Sequence, residues 1–127
     1  MPITRYQPEL LSKSALFSPV VKAGPTVYVA GQVARRADGE LVGAGDIEAQ
    51  TAQVFENLRA ALAAAGASFE HVVRITIYLT DARFRDPFNA VQQRYITSDL
   101  PASTLLIVAG LAQPHFLVEV EAVAYVE

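Results

Sequence analysis

The stretch that decides the fold runs from Gly45 to Asp81 and reads GDIEAQTAQVFENLRAALAAAGASFEHVVRITIYLTD. Asp46 is a candidate N-cap, because its carboxylate can accept the free backbone N–H groups of a first helical turn. Apolar residues then recur at helical spacing as far as Gly66, which stands where helices commonly end. The run Val72–Thr80 is rich in β-branched residues and predicts a strand. The chain therefore combines helix and sheet.

The predicted strand 72–80 has two chemically different sides. Alternation along a strand sends successive side chains to opposite faces of its sheet. One side is apolar and consists of Val73, Ile75, Ile77 and Leu79. The other side is more polar and consists of Arg74, Thr76 and Tyr78.

The N-terminal third predicts strands joined by tight turns. We expect strands at Phe17–Lys22 and Thr26–Val33, because Gly and Pro between them set turn torsions that a strand ladder does not use. Glu40–Val42 follows another turn and is a candidate for a short third strand. Residues 1–14 are polar and mixed, and we interpret them as an N-terminal arm.

The C-terminal third predicts one more helix and two more strands. Asp86 and Pro87 suit the N-cap and first position of a helix that runs to about Ile96, since proline at the first position loses no hydrogen bond. Strands are expected at Thr104–Val108 and Leu117–Val126. The resulting order, β-β-(β)-α-β-α-β-β, predicts an α+β sheet with both helices on one face.

The last strand indicates what the other face of the sheet does. Val118, Val120, Ala122, Ala124 and Val126 alternate with Glu119, Glu121, Val123 and Tyr125. The first set is small and apolar, which suits a position under the helices. The second set mixes carboxylates with apolar side chains. Such a face is better suited to a subunit interface with a polar cleft than to open water.

Length and composition limit the classes of protein to consider. The 127 residues predict a single domain, 1–127, that is long enough to bury a core. A net charge of −3 and a pI of about 5.3 argue against nucleic acid as a partner. The absence of cysteine excludes thiolate chemistry and disulfides. No apolar run approaches the ~18 residues of a membrane span, so we expect no membrane association and a cytoplasmic protein.

Six blocks in a fixed order carry a resemblance along nearly the whole chain. They are VYVAGQV (27–33), GDIEAQTAQVFENLRAALAAAG (45–66), VVRITIYLTD (72–81), FNAV (88–91), LPAS (100–103) and VEVEAVA (118–124). Together they resemble the RidA/YjgF family of enamine/imine deaminases and their relatives. The resemblance implies a chorismate-mutase-like fold and a homotrimer with small-molecule clefts between subunits. It implies neither a cofactor nor a metal ion.

The resemblance also implies a set of site residues. Glu119 matches the glutamate that holds or activates water near the substrate, although it could instead pair with an arginine across the interface. The substrate-binding positions match Phe17, Ala30, Gly31, Gln32, Asn89 and Ser103, with Thr104 as the neighbour if the alignment slips by one residue. The family has tyrosine, serine and arginine where this chain has Phe17, Ala30 and Ser103.

The loss of the arginine changes the expected ligand. An arginine in such a cleft grips a substrate carboxylate through two parallel hydrogen bonds, and its loss costs about 2–5 kcal/mol when the pair is buried. We therefore predict a ligand that is larger, less charged or more aromatic than the small 2-imino acids of the typical deaminases. Arg35, Arg36 or an arginine of another subunit could supply a replacement cation, or Arg35 and Arg36 could both lie in a solvated turn. His115 lies in a loop that could overhang the cleft.

Three functions are compatible with this pattern to different degrees. The first is a cofactor-free hydrolase (deaminase) or tautomerase that acts on an enamine, an imine or a related metabolite, but not the usual 2-aminoacrylate deaminase. The second is a non-catalytic small-molecule-binding or chaperone-like protein on the same scaffold. The third is a ribonuclease, against which the acidic pI and the lack of a basic, aromatic stripe both count.

Overall fold

A computed structural model describes residues 2–127 and shows one six-stranded sheet with two α-helices. The elements are β1 (Ile3–Tyr6), β2 (Val20–Ala23), β3 (Thr26–Gln32), α1 (Ile47–Ala64), β4 (Val72–Leu79), α2 (Arg85–Tyr95), β5 (Ala102–Ile107) and β6 (Val118–Tyr125). The strand order is β1-β2-β3-β6-β4-β5, and the β4–β5 pair is parallel while the other pairs are antiparallel. The predicted α+β class is confirmed.

Helix α1 forms as its sequence predicts. The Asp46 carboxylate accepts a hydrogen bond from the Ala49 N–H at 3.1 Å and caps the first turn. The apolar stripe of the helix is fully buried and includes Phe55 and Leu58. Gly66 follows the helix with a φ of 78°, a left-handed torsion that glycine adopts without a steric penalty. The Asp46 cap and Gly66 therefore set the two ends of this helix, and its apolar stripe packs it on the sheet.

The two faces of the sheet differ as the alternation of β6 predicts. Val118, Val120, Ala122 and Ala124 are buried against the helix layer. The opposite side of the sheet, which we call the open face, carries side chains from all six strands. Its central members are Tyr28, Arg74, Thr76, Tyr78, Thr104, Leu106, Glu119, Glu121, Val123 and Tyr125. The open face thus combines two carboxylates with large apolar groups.

The third strand of the N-terminal half lies elsewhere than predicted. It is β1, inside the segment interpreted as an arm, and it pairs antiparallel with β2. Glu40–Val42 forms no strand, and only a single bridge joins Leu41 to Arg35. Because β1 has only four residues and three of them are exposed, its pairing depends on the edge of β2 rather than on its own alternation.

Strand β2 starts three residues later than predicted. Pro19 has no N–H to donate to a ladder, so the strand begins at Val20 and not at Phe17. The Pro19 carbonyl instead accepts the Ala30 N–H at 2.9 Å. Phe17 therefore lies in the loop before the strand, where 56% of its surface is exposed.

Three further differences affect β4, α2 and β5. The β4–β6 register shifts between Val72 and Arg74, so Val73 turns outward and is 51% exposed instead of joining the apolar side. Helix α2 begins at Arg85 directly after a 3-10 turn, which places Asp86 and Pro87 inside the first turn rather than at the cap. Strand β5 begins at Ala102 and so includes Ser103.

Candidate functional site

The Glu119 carboxylate packs directly against the backbone of Gly31 at the open face. Gly31 lies in β3 where the register with β6 shifts between Val29 and Gln32. A Cβ atom at Gly31 would overlap the Glu119 carboxylate and would lie 2.9 Å from its Cδ. The backbone of Gly31 has no left-handed torsion, so glycine is needed here for space. The structure thus brings together two residues that the sequence assigns to one site.

Burial and a neighbouring charge change the acidity of Glu119. The side chain is half-buried, and this desolvation raises the pKa of its carboxyl group. The negative charge of Glu121, two residues along the same strand and on the same face, raises that pKa further. Within residues 2–127 no lysine, arginine or histidine forms an ion pair with Glu119. A carboxyl group in such surroundings is suited to proton exchange closer to neutral pH than an ordinary glutamate.

Tyr78 is a neighbour of Glu119 that the sequence did not assign to the candidate site. It lies opposite Glu119 in the β4–β6 register, and its hydroxyl donates a hydrogen bond to Glu121 Oε1 at 2.9 Å. That hydrogen bond is the main reason why the pKa of Tyr78 is raised. The tyrosine therefore stays protonated at neutral pH and orients Glu121. Only the cross-strand register, which sequence alone does not give, could have identified it.

Two cavities adjoin Gly31. The first, which we call the Arg35 cavity, has a volume of about 170 Å³. Its lining residues are Leu11, Ser12, Lys13, Ser14, Phe17, Pro19, Gly31, Gln32, Val33, Arg35 and Asn57. The second, about 260 Å³, lies on the open face and includes Ala30, Gly31, Tyr28 and Glu121. Phe17 and Ala30 therefore flank Gly31 on different sides.

Gln32 stabilises the backbone of β3 next to Gly31. Its side chain is buried, and its Nε2 donates a hydrogen bond to the Ala30 carbonyl at 3.0 Å. This bond spans the irregular part of β3 and holds the backbone that carries Gly31. Gln32 lines the Arg35 cavity and at the same time stabilises its wall.

Ser103 lies in a different part of the molecule. It pairs with buried Ile75 in the β4–β5 register, so its side chain faces the helix layer. There it lines a cavity of about 290 Å³, the Ser103 cavity, with Ile75, Gln92, Gln93, Ile96, Leu100 and Pro101. Gln92 Oε1 is buried without a hydrogen-bond partner among residues 2–127. Asn89 precedes Gln92 and Gln93 by about one turn of α2, so it shares their side of the helix.

Thr104 faces away from Ser103. Successive residues of a strand point to opposite faces, and Thr104 lies on the open face opposite Thr76. Its hydroxyl accepts a hydrogen bond from Arg74 Nη2 at 2.9 Å. A single cavity of one chain therefore does not take the side chains of both Ser103 and Thr104.

The candidate residues divide into two groups within one chain. We call Glu119 and Gly31, together with the residues that flank Gly31 (Ala30, Phe17 and Gln32), the Glu119 half-site. Ser103 and its cavity are the Ser103 half-site, and Asn89 lies on the side of α2 that lines this cavity. Strand β4 lies between β6 and β5, so these two strands are two strand spacings apart, which is about 10 Å. Glu119 and Ser103 also lie on opposite faces of the sheet. One chain alone does not bring the two half-sites together.

The two histidines lie outside these half-sites. The His115 side chain is exposed, its ring lies 4.7 Å from the ring of buried Phe116, and its carbonyl accepts a hydrogen bond from Gln50 Nε2. His71 Nδ1 accepts the Ser68 N–H at 3.0 Å and closes a capping box. Neither imidazole lines the three cavities described above.

Among residues 2–127, no three His, Asp or Glu side chains are grouped closely enough to hold a metal ion. In the same part of the chain, neither α-helix has the length and apolar character that a bilayer crossing requires.

Comparisons with known proteins agree on one family. A family model described as endoribonuclease L-PSP matches residues 9–126. A RutC family protein of Pyrococcus horikoshii is 39% identical over 112 residues, which is 87% of either chain. RidA from an Antarctic Psychrobacter species superposes with a TM-score of 0.90 at 32% identity, covering 97% of this chain and 99% of that one. Yeast Mmf1 superposes with a TM-score of 0.93 at 28% identity, covering 99% and 100%.

Proposed function

This chain belongs to the RidA/YjgF family, whose model is described as endoribonuclease L-PSP, and from that premise we propose a cofactor-free hydrolase (deaminase) or tautomerase that acts on an enamine or imine. The observation that supports this activity most is the Glu119 carboxyl group, which is held against Gly31 and has a raised pKa. A positioned carboxylate of this kind is the group that water activation requires.

The proposed hydrolysis needs only water and one carboxylate. Glu119 takes a proton from a water molecule while the water oxygen bonds to the imine carbon, and it then gives that proton to the imine nitrogen, so that a neutral carbinolamine forms and the carboxylate is restored. Glu119 next takes the hydroxyl proton of the carbinolamine and passes it to the amine nitrogen, as the C–N bond breaks, the C=O bond forms and ammonia leaves. An imine and one water thus give a carbonyl compound and one ammonia. An enamine first gains a proton at carbon and loses one from nitrogen.

The Ser103 cavity supports a substrate other than 2-aminoacrylate. Its side chains are neutral, and none supplies the guanidinium that would pair with a carboxylate next to the reacting carbon. Ile75, Ile96 and Leu100 make much of the wall apolar. In our proposal, Asn89 and backbone N–H groups near Gly31 bind the remaining polar groups of the ligand.

We also propose that the chain forms a homotrimer in the cytoplasm, and that its ligand clefts lie between the subunits. The division of site residues within one chain supports it, since a neighbouring subunit can bring a Ser103 half-site to a Glu119 half-site. The open face supports it as well. Tyr28 is 51% exposed, Tyr125 48% and Leu106 44%, and burying such side chains stabilises subunit association.

The activity can be tested with 2-imino acids released in situ from amino acids by an amino-acid oxidase. Ammonia release is followed in the presence of a chelator, for imines that range from the smallest to the aromatic. We expect the protein to accelerate hydrolysis of the bulky imines most. The active protein should have three times the mass of the chain, as a trimer requires. Saturable binding without acceleration of any imine would overturn the catalytic proposal.

A binding or chaperone-like role is the second candidate. Phe17, Ala30 and Ser103 stand where the family has tyrosine, serine and arginine, so three polar groups of a catalytic cleft are missing. In that case the protein would bind a small molecule and leave it unchanged.

A further inference from the structure

The geometry points to the Arg35 cavity as a binding site for a small oxyanion, namely the carboxylate or phosphate group of a ligand. The cavity adjoins Gly31 but does not include Ser103. The Arg35 cavity would therefore recognise a negative charge at a different place from the Ser103 position, where the family has its arginine.

The charges of the lining residues support this inference. Lys13 and Arg35 are the two cations of the cavity, and its other nine lining residues are uncharged. Neither cation forms an ion pair within residues 2–127, where the salt bridges join Arg36 to Asp38, Arg59 to Glu56 and Arg83 to Asp81. Two unpaired cations in one concavity create a positive potential there, although the chain as a whole carries a charge of −3.

Arg35 is held in place before any ligand arrives. Its guanidinium carbon lies 5.1 Å from the centre of the Phe116 ring, within the range of a cation–π contact. Buried Asn57 donates hydrogen bonds to the Arg35 carbonyl at 2.9 Å and to the Val33 carbonyl at 3.0 Å. Asn57 Oδ1 in turn accepts Gln53 Nε2 at 2.8 Å. The Asn57 hydrogen bonds hold the backbone of Arg35 and the ring contact restrains its guanidinium, so gripping an oxyanion costs little further conformational entropy.

Serine hydroxyls complete the cavity. Ser12 and Ser14 line it beside Lys13. Ser14 Oγ accepts the Leu16 N–H at 3.0 Å, which leaves its own hydrogen available for a ligand oxygen. A fork of arginine donors, an ammonium group and hydroxyls form a donor-rich environment that matches the acceptor-only surface of a carboxylate or phosphate.

The neighbouring arginine has different surroundings and provides an internal comparison. The Arg36 side chain is exposed, and its Nε lies 4.0 Å from Asp38 Oδ1. Arg36 lines a separate groove with Leu10, Gln53 and Glu56. The two adjacent arginines that the sequence treats alike are therefore distinct, because only Arg35 faces the cavity beside Gly31.

The position of the cavity specifies the substrate class, and this step rests on the proposed function. Gly31 lines the Arg35 cavity and also contacts the Glu119 carboxylate. The substrate would thus be an imine or enamine with an anionic group that reaches the Arg35 side of Gly31 instead of the Ser103 position. Such a molecule is larger than 2-aminoacrylate.

The experiment measures anion binding directly, with inorganic phosphate and succinate as probes and succinamide as the neutral match for succinate. Affinities are obtained from NMR titrations of the wild type and of Arg35→Gln, Lys13→Gln and Arg36→Gln. We expect Arg35→Gln to weaken binding of the preferred anion by at least about tenfold, the effect of losing a charge-assisted hydrogen bond. Arg36→Gln, which removes the same charge outside the cavity, should stay within about twofold of the wild type. The ratio of phosphate to succinate affinity distinguishes the two oxyanions.

Several results would overturn the inference. Equal affinities for succinate and succinamide would show that charge is not recognised. A loss of thermal stability in Arg35→Gln with unchanged anion affinity would assign Arg35 to packing against Phe116 alone. Lys13 is exposed, so Lys13→Gln tests the charge without a risk to folding. Anion binding should persist in Glu119→Gln, so a failure of catalysis is distinguishable from a failure of this site.

Discussion

Glu119→Gln is expected to lower kcat by about 10²–10⁴-fold, the range that a positioned general base contributes. The amide has nearly the shape of the carboxylate, so the contact with Gly31 is kept while the ability to accept a proton from water is lost. The measurement is the initial rate of ammonia release from the best imine of the panel. Undiminished turnover in the variant would rule out Glu119 as the base.

Glu121→Gln is the matched control for Glu119→Gln. Glu121 lies two residues along β6 from Glu119, on the same open face. Glu121→Gln therefore removes the same charge from nearly the same place. Turnover should largely remain. Because the charge of Glu121 raises the pKa of Glu119, the acidic limb of the pH–rate profile should move to lower pH in this variant. Tyr78, the hydrogen-bond donor to Glu121, stays neutral over this range because its own pKa is raised.

Thermal unfolding gives an independent check on the same carboxyl group. A glutamate with a raised pKa in the folded protein stabilises the fold below its unfolded pKa, and this contribution is lost as the pH rises through the folded pKa. Glu119→Gln does not titrate. The Tm of the variant relative to the wild type should therefore increase with pH through this interval. A difference that is constant with pH would contradict the raised pKa.

Gly31→Ala is expected to lower turnover by about 10²-fold, because misplacing a catalytic group by about 1 Å can cost that much. The added Cβ would lie 3.1 Å from Glu119 Cγ and 2.9 Å from Cδ, so the carboxylate has to swing away. The backbone torsion of Gly31 is open to alanine, and the displaced atoms belong to the end of a flexible side chain. Activity should therefore fall far more than thermal stability, as enzyme assays and unfolding curves together would show.

Two further variants make the Gly31→Ala result specific. Gly110→Ala adds the same methyl group where no atom lies within 4 Å, so its activity should match the wild type. The double variant Gly31→Ala with Glu119→Gln should lose no more activity than Glu119→Gln alone, since both changes act on one carboxylate. Additive losses would show that Gly31 acts independently of Glu119.

Much of the fold can be predicted where local signals and tertiary packing agree. Asp46 caps α1, Gly66 ends it, and β6 alternates between core and open face as its sequence indicates. In these elements the hydrophobic period and the terminating residues favour the same structure.

The errors in the fold prediction arise where a neighbouring strand decides the structure. Strand β1 has only four residues and buries too little to be recognised alone, and β2 supplies its pairing. Val73 follows the alternation in sequence, but the register shift in the β4–β6 pair turns it outward. Pro19 could have been recognised as the limit of β2 from its missing N–H.

The sequence proposes residues for the candidate site but not their arrangement. The resemblance assigns Glu119, Gly31 and Ser103, whereas only the strand order shows that β4 separates Ser103 from Glu119. The contact between Arg35 and Phe116 joins residues that are distant in the chain. Sequence alone left Arg35 and Arg36 equivalent because it carries no information about which of them faces a cavity.

Whether Ser103 changes the substrate is decided by the deamination of 2-aminoacrylate by wild type and by Ser103→Arg, with an arginine-containing RidA as positive control. We expect the wild type to be inactive, because the neutral Ser103 cavity does not grip the substrate carboxylate. We also expect Ser103→Arg to gain activity while Glu119 supplies the base. A wild type that is already as active as the control would contradict this account of substrate recognition.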